Sequence, residues 1–348
     1  MNKYSDKLVF TICSINYLAQ ALTLGHSLEK TNPGVAFRIY LVDSLFGREN
    51  IKEKIPFTLI EIQDVPIFDF DEMCLRYNQI ELNTSVKPFI FDYILKSEPL
   101  INQILYLDPD IMVFHPLDDL FLKLGKYNII LTPHILTPSN ACPHVPSERS
   151  FLGTGIFNLG FICLRRSNTV ECFLAWWKDR MVDQGYCKEE EQLFFDQKWI
   201  NYVPAFFDGV HIEKGRGYNM ASWNLHERII REIDSKYVVN DIEPLVFYHF
   251  SGYSISTPEK ISRHTTFTFE LRPDLKNIVS NYHHNLLTNN EYFFKTFSYY
   301  FGQYKRDIMR INALKGSSPF MKILRRVKYK LQTYKIARHN SFVNNINI

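Results

Sequence analysis

Residues 104–114 read Ile-Leu-Tyr-Leu-Asp-Pro-Asp-Ile-Met-Val-Phe, and this stretch decides the fold. The apolar run before Asp108 is typical of a buried strand in a parallel sheet. Pro109 cannot donate a hydrogen bond to a neighbouring strand, so the strand is predicted to break there. Asp108 and Asp110 would then lie at the carboxyl end of the strand, where open α/β sheets bind their ligands.

The two carboxylates indicate a divalent cation, because they repel each other unless positive charge lies between them. A hard cation that keeps part of its coordination shell for phosphate oxygens is the natural candidate. Asp-Pro-Asp is also good turn chemistry. From residues 108–110 alone, two interpretations are therefore open: a metal site, or an ordinary turn at the end of the strand.

Patterns of apolar residues predict the elements around this stretch. Strands are predicted over residues 8–13, 37–42, 57–62, 127–132, 153–164 and 245–252. Helices are predicted over residues 18–31, 117–121, 167–181, 189–200 and 286–312, with another starting at Pro88 behind a cap at Thr84 or Ser85. Residues 133–150 hold four prolines and are predicted to form a surface loop. The opening order of strand, helix, strand and strand favours an α/β fold with a mostly parallel sheet flanked by helices.

Composition and charge fit an ordinary globular protein of 348 residues, of which 46% are hydrophobic and 22% charged. The formal net charge of +3 is too small to indicate a nucleic-acid partner. The six cysteines form no Cys-x-x-Cys pair and have no zinc-site spacing, so we expect a reducing compartment. The sequence shows neither a signal peptide nor an apolar run of about 20 residues, and we expect a cytoplasmic protein.

The two commonest phosphate-binding loops are missing after the first predicted strand, since neither Gly-x-Gly-x-x-Gly nor a Walker loop follows it. A nucleotide would need other contacts. Lys87 lies near the predicted start of a helix, where the helix dipole favours phosphate. A solvated surface lysine is the alternative at this position.

Six short motifs follow one another along the chain: Asn16-Tyr17, Tyr106-Leu107-Asp108-Pro109-Asp110, Phe157-Asn158-Leu159-Gly160, Asp196-Gln197, Tyr218-Asn219 with Trp223-Asn224, and His249-Phe250-Ser251-Gly252. In this order they resemble the motifs of nucleotide-sugar glycosyltransferases of the GT-A (Rossmann-like) fold, most of all those of the retaining hexosyltransferases of family 8 and their bacterial relatives. The resemblance spans about residues 8–265.

This resemblance implies transfer of a hexose from a nucleotide-sugar, expected to be a UDP-sugar, to a hydroxyl group of a glycan or glycolipid, with retention of configuration. Asp108, Asp110 and His249 would hold Mn²⁺ or Mg²⁺. The residues acting on the donor sugar would be Asn158, Asp196 and Gln197. The other donor-binding residues would be Thr11, Asn16, Tyr17, Lys87, Gly160 and Gly252, together with the two aspartates. By analogy, we expect a role in the synthesis of a bacterial surface polysaccharide.

The sequence departs from the family pattern at a few positions. Ser14 stands where family members commonly carry an aspartate two residues before Asn-Tyr, so recognition of uracil has less support. The Lys-Pro-Trp that usually follows His-x-x-Gly is absent, and Lys260 and Arg263 are candidates for the missing charge. Lys87 stands where the family often has an arginine, which favours a phosphate role for it.

The chain is predicted to divide into a GT-A domain over residues 1–270 and a helical extension over residues 271–348. Basic residues opposite an apolar face predict a basic amphipathic helix over residues 317–340. Such a helix suits peripheral contact with an anionic membrane surface, here the inner face of the membrane. A solvated terminal helix, or one packed on its own domain, is the alternative.

Two other classes of protein stay open. A haloacid-dehalogenase-type phosphatase also carries Asp-x-Asp after a buried strand, with the first aspartate as nucleophile. In that group the motif normally lies near the start of its domain and is followed by x-Thr or x-Val, whereas here it lies beyond residue 100 and Met112 takes that place. The second alternative is a non-catalytic module that binds a sugar nucleotide or glycan. Such a module would have no need of Asp108, Asp110 and His249 as a metal triad.

Overall fold

The computed structural model describes residues 6–315, which form alternating strands and helices. The strands are β1 (Lys7–Cys13), β2 (Ala36–Leu41), β3 (Thr58–Glu61), β4 (Gln103–Leu107), β5 (Ile111–Val113), β6 (Ile129–Leu131), β7 (Phe161–Arg165), β8 (Cys187–Lys188), β9 (Leu193–Phe194), β10 (Val210–Ile212), β11 (Met220–Ala221), β12 (Ile230–Ile233), β13 (Lys236–Val239), β14 (Glu243–Pro244) and β15 (Phe247–His249). The helices are α1 (Leu18–Thr31), α2 (Phe70–Arg76), α3 (Gln79–Ser85), α4 (Lys87–Ser97), α5 (Asp118–Leu124), α6 (Glu148–Thr154), α7 (Asn168–Asp183), α8 (Val203–Phe206), α9 (Lys276–Thr288), α10 (Glu291–Lys295) and α11 (Tyr300–Lys315).

The central sheet has seven strands in the order β10-β6-β7-β4-β1-β2-β3. Strands β4, β1, β2 and β3 run parallel to one another, and β6 runs parallel to β10. Within this sheet β7 runs antiparallel to both of its neighbours. The predicted fold class, a mixed and mostly parallel sheet flanked by helices, is therefore confirmed.

Strand β4 lies in the middle of this sheet because it is apolar on both faces, and Ile104, Leu105 and Leu107 are fully buried. The strand ends before Pro109, as predicted, and the chain continues as β5. β5 pairs antiparallel with β15 in a second sheet of order β11-β15-β5. This pairing carries the end of β15 to the carboxyl end of β4, although more than a hundred residues separate the two strands in sequence.

The predicted strand over residues 153–164 is wrong in its first half. Gly153 and Thr154 end α6, and β7 begins only at Phe161. Gly155 turns the chain between them at φ +117°, a backbone conformation that favours glycine. α6 also begins at Glu148, within the segment predicted as a loop.

The predicted helix over residues 189–200 is present only as two short 3₁₀ turns, at Glu189–Glu191 and Lys198–Tyr202, and is wrong between them. β8 and β9 form a hairpin there, in which Cys187 pairs with Phe194. Gln192 and Phe195 have φ values of +56° and +50°, which a right-handed helix excludes. The acidic run at 189–191 fits a helix locally, but the aromatic pair after it faces a cavity described below.

Thr84 and Ser85 do not cap the helix at Pro88, because both belong to α3. Val86 alone separates α3 from α4, and Lys87 is the first residue of α4. Asn78 is the cap in this region, since its side chain accepts hydrogen bonds from two backbone N–H groups at the start of α3.

Helices α9 and α10 pack on α1. Asn289 Nδ2 donates to Thr23 Oγ1 at 2.9 Å, and Gln20 Nε2 donates to Glu291 Oε1 at 3.0 Å. The first compact unit accordingly extends to Tyr299, whereas the sequence predicted a boundary after residue 270.

α11 belongs to a second unit that begins at residue 300. The predicted basic helix at 317–340 lies outside the described residues. Between residues 6 and 315, every helix is too short or too polar to cross a bilayer.

Candidate active site

Asp108, Asp110 and His249 meet at the carboxyl end of β4. The Asp108 N–H donates to Gly160 O at 2.8 Å, which ties the turn to the start of β7. In the pairing of β5 with β15, His249 lies opposite Ile111, one residue from Asp110. His249 Nε2 is 3.0 Å from Asp110 Oδ1 and 3.6 Å from Asp108 Oδ2. The structure thus brings together the three side chains that the sequence predicted as metal ligands.

This cluster has the chemistry of a divalent-cation site. One ligand atom from each of the three side chains lies within 4.8 Å of the others. Two carboxylates with one imidazole are a donor set that Mn²⁺ accepts readily. The space beside them depends on Gly160, because a Cβ atom there would lie 2.5 Å from His249 Cε1 and 2.8 Å from Asp108 Oδ2. The residues present fit a bound metal ion.

The two aspartates differ in electrostatic environment. Burial raises the pKa of Asp108 above its ordinary value, although Lys87 and His249 act against this. Burial acts on Asp110 in the same direction, but the imidazole of His249 prevails and lowers the pKa of Asp110. The Tyr106 hydroxyl donates to Asp108 Oδ1 at 2.5 Å and so fixes the orientation of that carboxylate.

Lys87 lies beneath the cluster, in a buried ion pair with Asp196. Its Nζ donates to Asp196 Oδ2 at 2.7 Å and to Leu159 O at 2.9 Å. The same ammonium lies 4.3 Å from the centre of the Tyr106 ring. Burial raises the pKa of Asp196 to about 6 despite the nearby lysine. The contact of Lys87 with a diphosphate, which the resemblance favoured, stays a prediction.

Gln197 and Asn158 are held side by side. Gln197 Oε1 accepts from Leu159 N–H at 3.0 Å and from Asn158 Nδ2 at 3.4 Å. Gln197 Nε2 donates to Thr154 O at 2.9 Å, so the amide is fixed at both ends. Gln197 follows Asp196 directly, so its contact with Asn158 brings both predicted catalytic amides close to Asp196. The chain turns at Phe195 just before these residues, where the sequence predicted a helix.

Two cavities adjoin the cluster. The larger, of about 950 Å³, is lined by Asp110, Tyr17, Gly252, Lys260, Arg263 and Lys295, among others. The smaller, of about 360 Å³, is lined by Asp108, His249, Lys87, Asn158, Gly160, Asp196 and Gln197, among others. The cluster therefore lies where the two cavities meet.

Of the other residues predicted to bind the donor, only some are brought to this site. Tyr17 lines the larger cavity and is 40% exposed. Gly252 lines it as well, with φ +74°. Asn16 lies outside both linings, and its Oδ1 accepts from Gln79 Nε2 at 2.8 Å. Thr11 is fully buried within β1 and lines neither cavity, so the structure does not bring it to the site.

Sequence reasoning missed several residues at this site. Lys295 on α10 places its ammonium 4.4 Å from the centre of the Tyr17 ring. His134, in the segment predicted to form a surface loop, is buried next to Asn158. His264 lines the smaller cavity. None of these lies in a motif, and only the three-dimensional contacts identify them.

The comparisons with known proteins give distant relatives. No family model matches the chain. Two uncharacterized proteins of Bacillus subtilis (strain 168) are similar in sequence. YfnF is 26% identical over 258 residues, which cover 73% of this chain and 84% of YfnF. YfnD is 26% identical over 206 residues, which cover 58% of this chain and 63% of YfnD.

Solved structures of several glycosyltransferases match this chain. The galactosyltransferase LgtC, solved with donor and acceptor sugar analogues, is 14% identical at a TM-score of 0.44, over 81% of this chain and 95% of LgtC. The glycosyltransferase GlyE of Streptococcus pneumoniae TIGR4 is 18% identical at a TM-score of 0.47, over 84% of this chain and 64% of GlyE. The bifunctional enzyme WbbM is 13% identical at a TM-score of 0.47, over 82% of this chain and 52% of WbbM. These values describe a distant likeness. The function is therefore inferred from the side chains of this protein itself.

Proposed function

We propose that this protein is a metal-dependent glycosyltransferase that moves a hexose from a nucleotide-sugar, a UDP-sugar, to a hydroxyl acceptor. The observation that carries the proposal is the position of Asp108, Asp110 and His249 between two cavities. Asp110 faces the larger cavity, which has room for a nucleotide. Asp108 and His249 face the smaller one, in which Asp196 and the two amides lie.

The larger cavity suits the nucleotide part of the donor. Tyr17 offers an exposed aromatic face for stacking. Lys260, Arg263 and Lys295 line the same cavity and supply positive charge for a diphosphate. These cations compensate for the Lys-Pro-Trp segment that the sequence lacks.

Mn²⁺ is the proposed metal ion, held by Asp108, Asp110 and His249. When bound, it would act as a Lewis acid that stabilises negative charge on the departing diphosphate. Mixed carboxylate and imidazole ligands favour Mn²⁺ slightly over Mg²⁺.

The smaller cavity suits the donor sugar. The Asp196 carboxylate would stabilise the positive charge that develops at the anomeric carbon, since it lies in a buried setting where charge interactions are strong. Lys87 holds that carboxylate in place, while Asn158 and Gln197 provide polar groups for the sugar hydroxyls.

In the transfer step, the acceptor oxygen bonds to the anomeric carbon as the bond to the diphosphate oxygen breaks. The acceptor proton passes to the departing diphosphate. Attack from the leaving-group side would retain the configuration. We further propose a glycan or glycolipid acceptor in bacterial surface polysaccharide synthesis, with residues 317–340 in contact with an anionic membrane.

A panel of sugar nucleotides tests the proposal. The full chain is incubated with each donor, with Mn²⁺ or with EDTA, and the released nucleoside diphosphate is measured. The proposal predicts release from at least one donor with Mn²⁺ and none with EDTA. Binding of a donor without any release over a panel of glycan acceptors would indicate a binding module instead. Release of inorganic phosphate from phosphate esters would indicate a phosphatase.

A further inference from the structure

His134 is a buried histidine to which the proposed transfer assigns no role. It lies beyond the end of β6, is 6% exposed, and stacks on Phe151 with ring centres 4.7 Å apart. The Trp223 ring contacts both this imidazole and that of His249, with ring centres 5.4 Å and 5.1 Å apart, respectively. The ring is therefore fixed in place close to the predicted metal site.

The proton position on His134 follows from its two partners. Nδ1 is 3.1 Å from the carbonyl oxygen of Ile156, which can only accept a hydrogen bond. Nδ1 therefore carries the proton. Burial lowers the pKa of His134 to about 4, so the ring is neutral and Nε2 is an acceptor. Asn158 Nδ2 donates to this Nε2 at 3.2 Å.

The orientation of the Asn158 amide follows in the same way. Its Oδ1 accepts from the backbone N–H of Gly160 at 3.2 Å, and a backbone N–H can only donate. The same Oδ1 accepts from Asn219 Nδ2 at 3.0 Å. The side-chain nitrogen of Asn158 therefore faces His134, and its side-chain oxygen faces Gly160 and Asn219.

The last link reaches the predicted metal ligand. With its Nδ2 committed to Asn158, Asn219 presents Oδ1 to His249 Nδ1 at 3.3 Å. His249 must therefore keep a proton on Nδ1, which leaves Nε2 as the nitrogen that faces the two aspartates. Asn219 has φ +51°, and Asn224 Nδ2 fixes it by donating to Asn219 O and to His134 O, each at 3.0 Å.

We infer that His134 is a positioning residue which, through Asn158 and Asn219, sets the tautomer of His249 and thereby the affinity of the site for a metal ion. The inference rests on the proposed function, since it presumes that Asp108, Asp110 and His249 bind the ion. Partners that fix the second nitrogen of a ligating histidine typically contribute 10–100-fold to metal affinity. Because His134 acts through two amides, we expect an effect near tenfold.

The first test measures Mn²⁺ binding directly, by EPR titration of the full chain without any donor. His134→Phe keeps the stacked ring but removes both nitrogen contacts. His211→Phe is the matched control, because His211 stacks on Tyr127 at the same 4.7 Å spacing and lies outside this hydrogen-bond chain. We expect Kd for Mn²⁺ to rise about tenfold in H134F and to stay unchanged in H211F. Asn219→Gly, which keeps the positive φ accessible, should raise Kd at least as much.

The second test reads the protonation of the histidine ring nitrogens in metal-free protein labelled with ¹⁵N-histidine. Long-range N–H correlation spectra should show His134 with its proton on Nδ1. The ring-nitrogen signals of His249 should shift in H134F and N219G but not in H211F. A proton on Nε2 of His134 would overturn the inference, as would unchanged His249 signals or an unchanged Kd for Mn²⁺ in folded H134F.

The two proposals fail in different ways. Wild-type protein that binds no Mn²⁺ would contradict the proposed metal site. Wild-type binding that folded H134F leaves unaltered would contradict the positioning role alone. If H134F does not fold, N219G decides the outcome.

Discussion

Lys87 Nζ and Asp196 Oδ2 form a 2.7 Å ion pair in which both side chains are almost completely buried. The two residues come from different parts of the chain, the start of α4 and the segment that follows β9. Burial of a charged pair costs desolvation, and that cost is offset only while both partners are present. The pair therefore makes the proposed sugar site sensitive to the loss of either charge.

The first prediction concerns this pair. Lys87→Met should lower the free energy of unfolding by about 3–5 kcal/mol, because Asp196 is left as an uncompensated buried charge. The double variant Lys87→Met with Asp196→Leu should recover most of that loss, since an apolar pair of similar volume carries no charge. Urea unfolding measures both. A double variant as unstable as Lys87→Met would contradict this account of the pair.

The second prediction concerns Gly160. Gly160→Ala should abolish Mn²⁺ binding, because the added Cβ would overlap His249 and Asp108. Gly153→Ala is the control, since a Cβ at position 153 meets no atom within 4 Å and the residue is helical. The control should bind Mn²⁺ normally and gain about 0.5–1 kcal/mol of stability. Equal Mn²⁺ binding by the two variants would count against the position of the metal site.

The third prediction concerns pH. Burial, together with the charge of His249, holds the pKa of His134 at about 4, below the ordinary value of about 6.5. Between these values the unfolded chain binds a proton that the folded chain does not, so stability falls as the pH drops from about 6.5 to about 4. Between pH 7 and pH 5 this single group should contribute about 2 kcal/mol of the loss.

Urea unfolding of wild type and His134→Phe at both pH values isolates this contribution. The wild type should lose about 2 kcal/mol more than the variant over the interval. Identical losses in the two proteins would show that His134 is not held neutral in the folded state.

The fourth prediction concerns the nucleotide. Lys295→Ala should weaken binding of the nucleoside diphosphate several-fold, because the ammonium lies against Tyr17 and lines the larger cavity. Lys276→Ala, on the exposed surface of α9 and outside both cavities next to the cluster, is the control. Isothermal titration calorimetry compares the two. If Lys276→Ala weakened binding of the nucleoside diphosphate as much as Lys295→Ala, the loss would reflect the overall charge of the protein and not a contact made by Lys295.

The fold and the metal cluster could be predicted because their signals are local. β4 is an unbroken apolar run, Pro109 ends it, and the two aspartates follow directly. His249 ends a second apolar run, and the family resemblance linked it to the aspartates. The pairing of β5 with β15 supplies the physical reason for that link.

The remainder of the site could not be predicted because it depends on contacts between distant segments. The helical pattern at 189–191 gives no sign that the following residues pair with β8. Lys87 fits a helix start, but its partner Asp196 is 109 residues away. A single histidine in a proline-rich segment has no signal of its own, and His134 gains its role only from the orientation of Asn158 and Asn219.

The most direct test of the central claim compares wild type with Asp110→Asn for Mn²⁺-dependent release of nucleoside diphosphate from the donor that the panel identifies. The substitution removes one charge from the cluster and changes little else in shape. We predict that wild type releases the diphosphate only when Mn²⁺ is present and that the variant loses this release at least a hundredfold, about 2.7 kcal/mol of transition-state stabilisation. Unchanged release by Asp110→Asn, or full release by wild type in EDTA, would contradict the account.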